Sequence, residues 1–189
     1  STFKTAYFSL KSKSEIKILE LGTTRSFISN RTEVANYNSD PNTWDWGAGC
    51  FTYSFLSLLP QSKITSVDIN ESAISVAEKM CSEFLDRLDL VHADSSKFLK
   101  EVDAKYDLIY MDHGESQQMN DECAVLHLND LKIILTRDLI TKDGLILIDD
   151  VNVKYPLIGK GLYSIPLLTA LRYIKLSSDD HYQSLFRKD

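Results

Sequence analysis

Short apolar stretches alternate along the chain with amphipathic segments of helical spacing, and the apolar stretches repeatedly end on a carboxylate. The first runs from Glu15 to Thr24. Ile16, Ile18, Leu19 and Leu21 form a nearly continuous run that Glu20 interrupts and Gly22 closes, as expected of a central parallel strand covered on both faces. Residues 1–14 read as a lead-in helix or arm. Phe51, Phe55, Leu58 and Leu59 recur at helical spacing before Pro60, and Ile64 to Ile69 then reads as a strand with Asp68 near its end. Asn70 or Ser72 can cap a helix whose stripe is Ile74, Ala77, Met80, Cys81, Phe84 and Leu88. A strand ends near Asp94, a short amphipathic turn covers Ser95 to Val102, and a fourth strand spans Tyr106 to Asp112. A helix is expected from about Asp121 to Thr141. Lys142-Asp143-Gly144 turns into a fifth strand ending in Asp149 and Asp150, and Ser164 to Leu171 is again helical. Tyr173 to Leu176, a polar turn and Tyr182 to Phe186 complete the chain as a hairpin.

Strands separated by helices, followed by a hairpin, predict the α/β class with a mostly parallel sheet and an antiparallel addition at the end. Such sheets bind ligands beyond the carboxyl ends of their strands. Glu20, Asp68, Asp94, Asp112, Asp149 and Asp150 all fall at that edge. A carboxylate there needs a hydrogen-bond donor or a ligand, and the accumulation of them predicts a ligand site.

Composition changes this picture little. The length of 189 residues suits one domain, 1–189, and 43% hydrophobic with 25% charged residues is ordinary for a globular chain. The formal charge of -6 argues against a nucleic-acid binder held by phosphate contacts. No apolar run is long enough for a membrane span, so a cytoplasmic protein is expected. Cys50, Cys81 and Cys123 lack zinc-site or disulfide spacing and read as free thiols. The stretch from Arg25 to Asp45 has no clean period and reads as a long loop.

The strings ILELG, VDIN, HAD, YMDHGE and LILIDDV, in this order, resemble the class I S-adenosylmethionine-dependent methyltransferases over nearly the whole chain. The resemblance implies a Rossmann-like three-layer sandwich whose seven strands run in the order 3-2-1-4-5-7-6, the hairpin supplying the last two. The family's compact glycine loop is split here. Gly22 begins it, and Gly47 and Gly49 in WDWGAGCF complete it beyond an insertion over 24–46, which could serve as a lid carrying Trp44 and Trp46. By the resemblance, Glu20, Gly22, Gly47 and Gly49 face the methionine portion of the cofactor. Asp68 accepts the ribose hydroxyls, Ile69 packs on adenine, and Asp94 and Ser95 contact the adenine edge. A nicotinamide dinucleotide is the alternative cofactor, but Thr52 stands where its motif needs a third glycine.

Asp112, Asp149 and Asp150 stand where metal-dependent O-methyltransferases of the catechol type hold a divalent ion. Hard oxygen ligands suit Mg2+, which would acidify and orient a substrate hydroxyl. The match is incomplete. Asp150 replaces an Asn, and Glu115 stands where that type has a catalytic Lys. His113 is the substitute base beside Asp112, since its ordinary pKa suits hydroxyl deprotonation. Without metal, Asp112 would contact the cofactor itself. Methylation of base amines is disfavoured, because Asp112-His113-Gly114-Glu115 lacks the prolines of that branch. The expectation is therefore O-methylation of a small hydroxylated molecule, with no nucleic-acid or membrane partner and the oligomeric state open. The alternative is a module that binds the cofactor without turnover.

Overall fold

The computed structural model describes residues 2–23, 40, 42, 50–114, 121–152, 158–179 and 182–189. The lid expectation for 24–46, with Trp44 and Trp46, lies outside them apart from Asp40 and Asn42. So do Gly47, Gly49 and Glu115.

Helix α1 (Thr2–Leu10) leads into β1 (Ile16–Leu21), followed by α2 (Phe51–Leu58), β2 (Ser62–Asp68), α3 (Glu71–Met80) and β3 (Leu88–His92). Next come α4 (Ser95–Glu101), β4 (Tyr106–Met111), α5 (Asp121–Thr136) and β5 (Ile140–Ile148). A two-residue ladder of β6 (Val151–Asn152) and β7 (Ile158–Gly159) precedes α6 (Ser164–Ala170), β8 (Ile174–Asp179) and β9 (Gln183–Arg187). The main sheet has seven strands in the order β3-β2-β1-β4-β5-β9-β8. With the small β6–β7 ladder set aside, this is the expected 3-2-1-4-5-7-6.

Alternation along the strands creates the three layers. Ile16, Ile18, Ile64, Leu108, Tyr110, Leu145 and Leu147 pack against Ala6 and Leu10 of α1, Phe51 and Phe55 of α2, and Val76 and Met80 of α3. Leu19, Leu21, Val67, Ile109, Met111, Ile146 and Ile148 meet Leu99 of α4, Leu131 and Ile134 of α5, and Leu168 of α6. Parallel pairing of β1 with β2 and with β4 aligns their carboxyl ends, so Glu20 lies beside Ser66 and Tyr110.

Three boundaries differ from the sequence reading. Helix α3 stops at Met80 and a 3-10 turn covers Ser82–Phe84, so Leu88 opens β3 instead of finishing a helical stripe. The Arg87 guanidinium fixes that connection by donating to the carbonyls of Leu56, Leu59 and Ser62. Helix α5 ends at Thr136, because Asp138 takes a left-handed φ of 53° and turns the chain. Strand β5 therefore begins at Ile140, opposite Tyr106, and the Lys142–Gly144 turn becomes an irregularity inside the strand. The β6–β7 ladder was not expected. It carries the chain back over the end of β5.

Candidate functional site

The carboxyl edge is built first by close backbone approach. Gly22 has φ +88°, and a Cβ there would lie 2.7 Å from the His113 nitrogen and 2.8 Å from its Cα. Gly22→Ala is therefore expected to cost about 2–3 kcal/mol, combining left-handed strain with a backbone clash that no rotamer relieves. A urea-unfolding midpoint unchanged from wild type would contradict it. Beside this turn, Asp68 accepts from the Thr23 amide at 3.0 Å and the Asn70 amide at 2.7 Å. Each oxygen keeps a lone pair for another donor. The next side chain, Ile69, is 71% exposed, a large apolar group left against solvent at the edge where a ligand would lie. Asp94 caps α4 by accepting from the Lys97 amide at 2.8 Å.

Glu20 is placed otherwise than expected. Its side chain points into the α1–α3 layer and is 1% exposed. Thr52 and Ser66 each donate a hydroxyl to the same carboxylate oxygen at 2.5 Å. Burial pushes its pKa from 4.5 to about 8 against the pull of those hydroxyls, and Asp112 and Asp68 raise it further. Glu20 thus ties β1 to β2 and α2, and contact with a ligand amino group is not the role this geometry gives it.

The carboxylates expected to share a metal are divided between two networks. Asp149 turns toward the α1–α3 layer, where Tyr110 donates its hydroxyl to Oδ2 and Gln183 lies 3.3 Å away. Its Oδ1 accepts from the Asp150 amide at 2.8 Å. Burial, then Asp112, raises Asp149 from 3.8 to about 6. Asp112 and Asp150 instead pair with Lys160. The ammonium donates to the Asp112 carbonyl at 2.6 Å and to its carboxylate at 2.8 Å, and it pairs with Asp150 at 2.9 Å. Lys160 is 1% exposed. Burial would lower its pKa, but Asp112 and Asp150 outweigh burial and raise it, so the cation persists. Among the described residues no three His, Cys, Asp or Glu side chains converge as metal ligands. The Asp112–Asp149–Asp150 set does not fit a divalent ion, because a fixed positive charge stands between two of its members and the third faces elsewhere.

His113 belongs to a second buried cluster. Its Nε2 lies 2.8 Å from Asp130 Oδ2 on α5, and its side chain is only 10% exposed. Ser95 donates to Asp130 at 2.6 Å, and Ser96 donates to the other oxygen. Burial alone would raise Asp130, yet His113 and the two serines hold it below its ordinary value. His127 stacks on His113 with ring centroids 4.2 Å apart, and its Nε2 meets the His113 carbonyl at 2.7 Å. Burial, then His113 and Lys160, keeps His127 well below its usual pKa and therefore neutral. Both His113 ring nitrogens are enclosed: Nδ1 has no hydrogen-bond partner among the described residues, and Nε2 meets Asp130 as a close ion-pair contact without hydrogen-bond geometry.

A family model described as "Methyltransferase domain" matches residues 38–182. The chain belongs to the class I S-adenosylmethionine-dependent methyltransferases. A search of curated protein sequences finds no match. Among solved structures, this methyltransferase is similar to the S-adenosylhomocysteine-bound PaMTH1 of Podospora anserina, with a TM-score of 0.60 and 15% identity over 100% of this chain and 79% of that one. A caffeoyl-CoA O-methyltransferase-like protein from Staphylococcus aureus gives a TM-score of 0.61 and 16% identity over 100% and 84%. TrmN from Thermus thermophilus gives 0.58 and 12% over 97% of this chain, which spans only 46% of that protein.

In this methyltransferase the fold brings Gly22, Asp68 and Asp112-His113 to one edge and joins Ser95 to His113 through Asp130. The sequence reading passed over Lys160, Asp130, Thr52 and Ser66. Lys160 had a signal: glycines on both sides in a chain with 7 in all. A Cβ at Gly159 would lie 2.1 Å from the Asp150 carbonyl, and one at Gly161 would lie 2.5 Å from Val151 Cγ1. Asp130 sat on the buried stripe of α5 with His127 and Ile134, where a carboxylate requires a partner. No helix among the described residues is long and apolar enough to cross a membrane.

Proposed function

We propose that this methyltransferase transfers a methyl group from S-adenosylmethionine to a hydroxyl oxygen of a small molecule. The observation that carries the reading is the His113–Asp130 pair, set at the end of β4 against the Gly22 turn. An enclosed imidazole nitrogen without a partner is costly. A bound hydroxyl reaching Nδ1 would relieve that cost.

The residues at the edge fit the cofactor in the arrangement proposed for it. Asp68 would take the ribose hydroxyls on its remaining lone pairs, Ile69 would cover one face of adenine, and Asp94 with Ser95 would border its edge. Gly22 would leave room for the methionine portion, with Gly47 and Gly49 completing the loop and 24–46 acting as lid. When bound, S-adenosylmethionine supplies a methyl group on a positively charged sulfur. His113 takes the acceptor's proton at Nδ1, and Asp130 stabilises the resulting imidazolium at Nε2. Ser95 and Ser96 hold Asp130 so that the ring stays aimed. Glu20 and Asp112 act behind the site by fixing the ends of β1 and β4.

The net charge of -6 supports a small acceptor over a nucleic acid, and the likeness to the caffeoyl-CoA O-methyltransferase-like protein is consistent with oxygen as the acceptor atom. Three cysteines without disulfide or zinc-site spacing suit a cytoplasmic setting.

Two measurements test the reading. Asp68→Ala is expected to weaken S-adenosylhomocysteine binding about 10- to 100-fold in calorimetry, the loss of one or two charge-assisted hydrogen bonds. Unchanged affinity would remove Asp68 from the cofactor site. Methyl-labelled S-adenosylmethionine offered with phenols, catechols, alcohols, amines and transfer RNA should label hydroxyl compounds. Preferential labelling of amines or RNA would overturn O-methylation.

A further inference from the structure

Lys160 occupies a cradle of oxygens whose chemistry would also suit a hard metal cation. Among the described residues it meets three oxygens from the ends of two neighbouring strands: the Asp112 carbonyl, an Asp112 carboxylate oxygen and an Asp150 carboxylate oxygen, at 2.6, 2.8 and 2.9 Å. That is a hard, oxygen-only, net-negative donor set. An ammonium has three N–H donors, and all three are engaged.

The backbone is shaped to bring the lysine there. Asp150 adopts a left-handed φ of 47° and Gly159 one of 89°. The β6–β7 ladder pairs Val151 with Gly159, and the Lys160 amide donates to the Asp150 carbonyl at 3.2 Å. A residue sequence-adjacent to a tight crossing is thereby turned inward until its side chain is buried. Burying a lysine in this way is unfavourable unless the charge is matched by acceptors, and here it is matched by two carboxylates that would otherwise repel each other.

We propose that the Lys160 ammonium is a built-in cation that takes the place of a divalent metal between β4 and β5, so that this chain holds its acceptor edge together without a metal ion. The substitution has a chemical consequence. A divalent ion retains open positions for a substrate oxygen, whereas an ammonium with every donor engaged offers none. Lys160 therefore acts as a positioning residue for Asp112, and through the chain for His113, while deprotonation of the acceptor falls to a side chain. The inference concerns the cradle itself and does not depend on which acceptor atom is methylated.

Removing the ammonium should convert the cradle into a metal site. The N···O distances exceed those of Mg2+–oxygen bonds by about 0.7 Å, a gap that small rotations of the two carboxylates can close. The test is Mn2+ binding followed by electron paramagnetic resonance, with wild type and Lys160→Ser compared at equal protein concentration. Wild type is expected to leave the spectrum of free Mn2+ essentially unchanged at millimolar metal, with its melting temperature indifferent to Mn2+ and to chelator. Lys160→Ser is expected to bind Mn2+ at least about 100-fold more tightly than wild type, to melt at a higher temperature when the ion is present, and to lose both effects when Asp150→Asn is added. Tight Mn2+ binding by wild type that Asp150→Asn abolishes would overturn the proposal, whatever the fate of the lysine variant. A cooperatively folded Lys160→Ser that gains no Mn2+ affinity would overturn it equally.

Discussion

Folding stability is expected to fall by about 5 kcal/mol between pH 4.5 and about 8 through Glu20 alone. The side chain is wholly enclosed, and burial raises its pKa above the value it has in the unfolded chain. Through that window the folded protein keeps a proton that the unfolded chain has released, so each pH unit costs about 1.4 kcal/mol. The full stability is present below pH 4.5 and is lost as the pH rises to about 8, beyond which the contribution is flat. Asp149, raised from 3.8 to about 6, has the same sign at lower pH. His127, held neutral in the fold, acts with the opposite sign below about 7, so the interval from about 7 to 8 isolates Glu20. In Glu20→Gln, one amide oxygen can still accept from Thr52 and Ser66, and nothing titrates. Urea unfolding at several pH values should show wild type losing stability across that interval while the variant stays nearly level. A variant as steep as wild type would show that the slope arises elsewhere.

The second large effect is expected at the imidazole. His113→Gln should reduce kcat by about 10²- to 10⁴-fold, the usual range for a general base, with S-adenosylhomocysteine affinity retained. Asp130→Asn should lower kcat by about 10- to 100-fold, because it removes the charge that stabilises the imidazolium while keeping hydrogen bonds to Ser95 and Ser96. The two losses should not add, since Asp130 acts only through His113. If His113→Gln retains wild-type kcat, proton removal belongs to another group. Comparable losses in folding stability and in kcat would instead mark the His113–Asp130 pair as structural.

Much of the edge was legible because each piece had a local cause. A buried strand needs a nearly continuous apolar run, a sharp exit needs glycine, and a carboxylate at a strand end needs a donor. Ile18 and Leu19, Gly22 and Asp68 each satisfied one of these requirements within a few residues. The misplaced helix ends had equally local causes of the opposite kind. Periodicity carries a helix through Leu88 or Thr141, but Arg87 and the left-handed Asp138 stop it earlier, and their effect depends on carbonyls or turns supplied by the fold.

The side-chain partners were a different matter. Glu20 and Asp149 read as ligand-facing because they end strands. In space both lie on the α1–α3 side, where hydroxyls from Thr52, Ser66 and Tyr110 meet them. Asp130 is farther from His113 in sequence than the 16 residues of α5, and only the packing of that helix against the end of β4 joins the two.

The sequence by itself determined the α/β class, the sheet order through its family resemblance, and the edge at which the carboxylates collect. These follow from period, strand-end chemistry and connection length, which are properties of short segments. Only the tertiary structure decided which carboxylate faces which partner. A metal triad and a lysine-filled cradle would draw on the same strand ends, and the cradle uses two of the three aspartates, Asp112 and Asp150. The difference between them is a side chain from ten residues beyond Asp150, turned inward at a crossing whose flanking glycines are local but whose oxygen acceptors only the fold supplies.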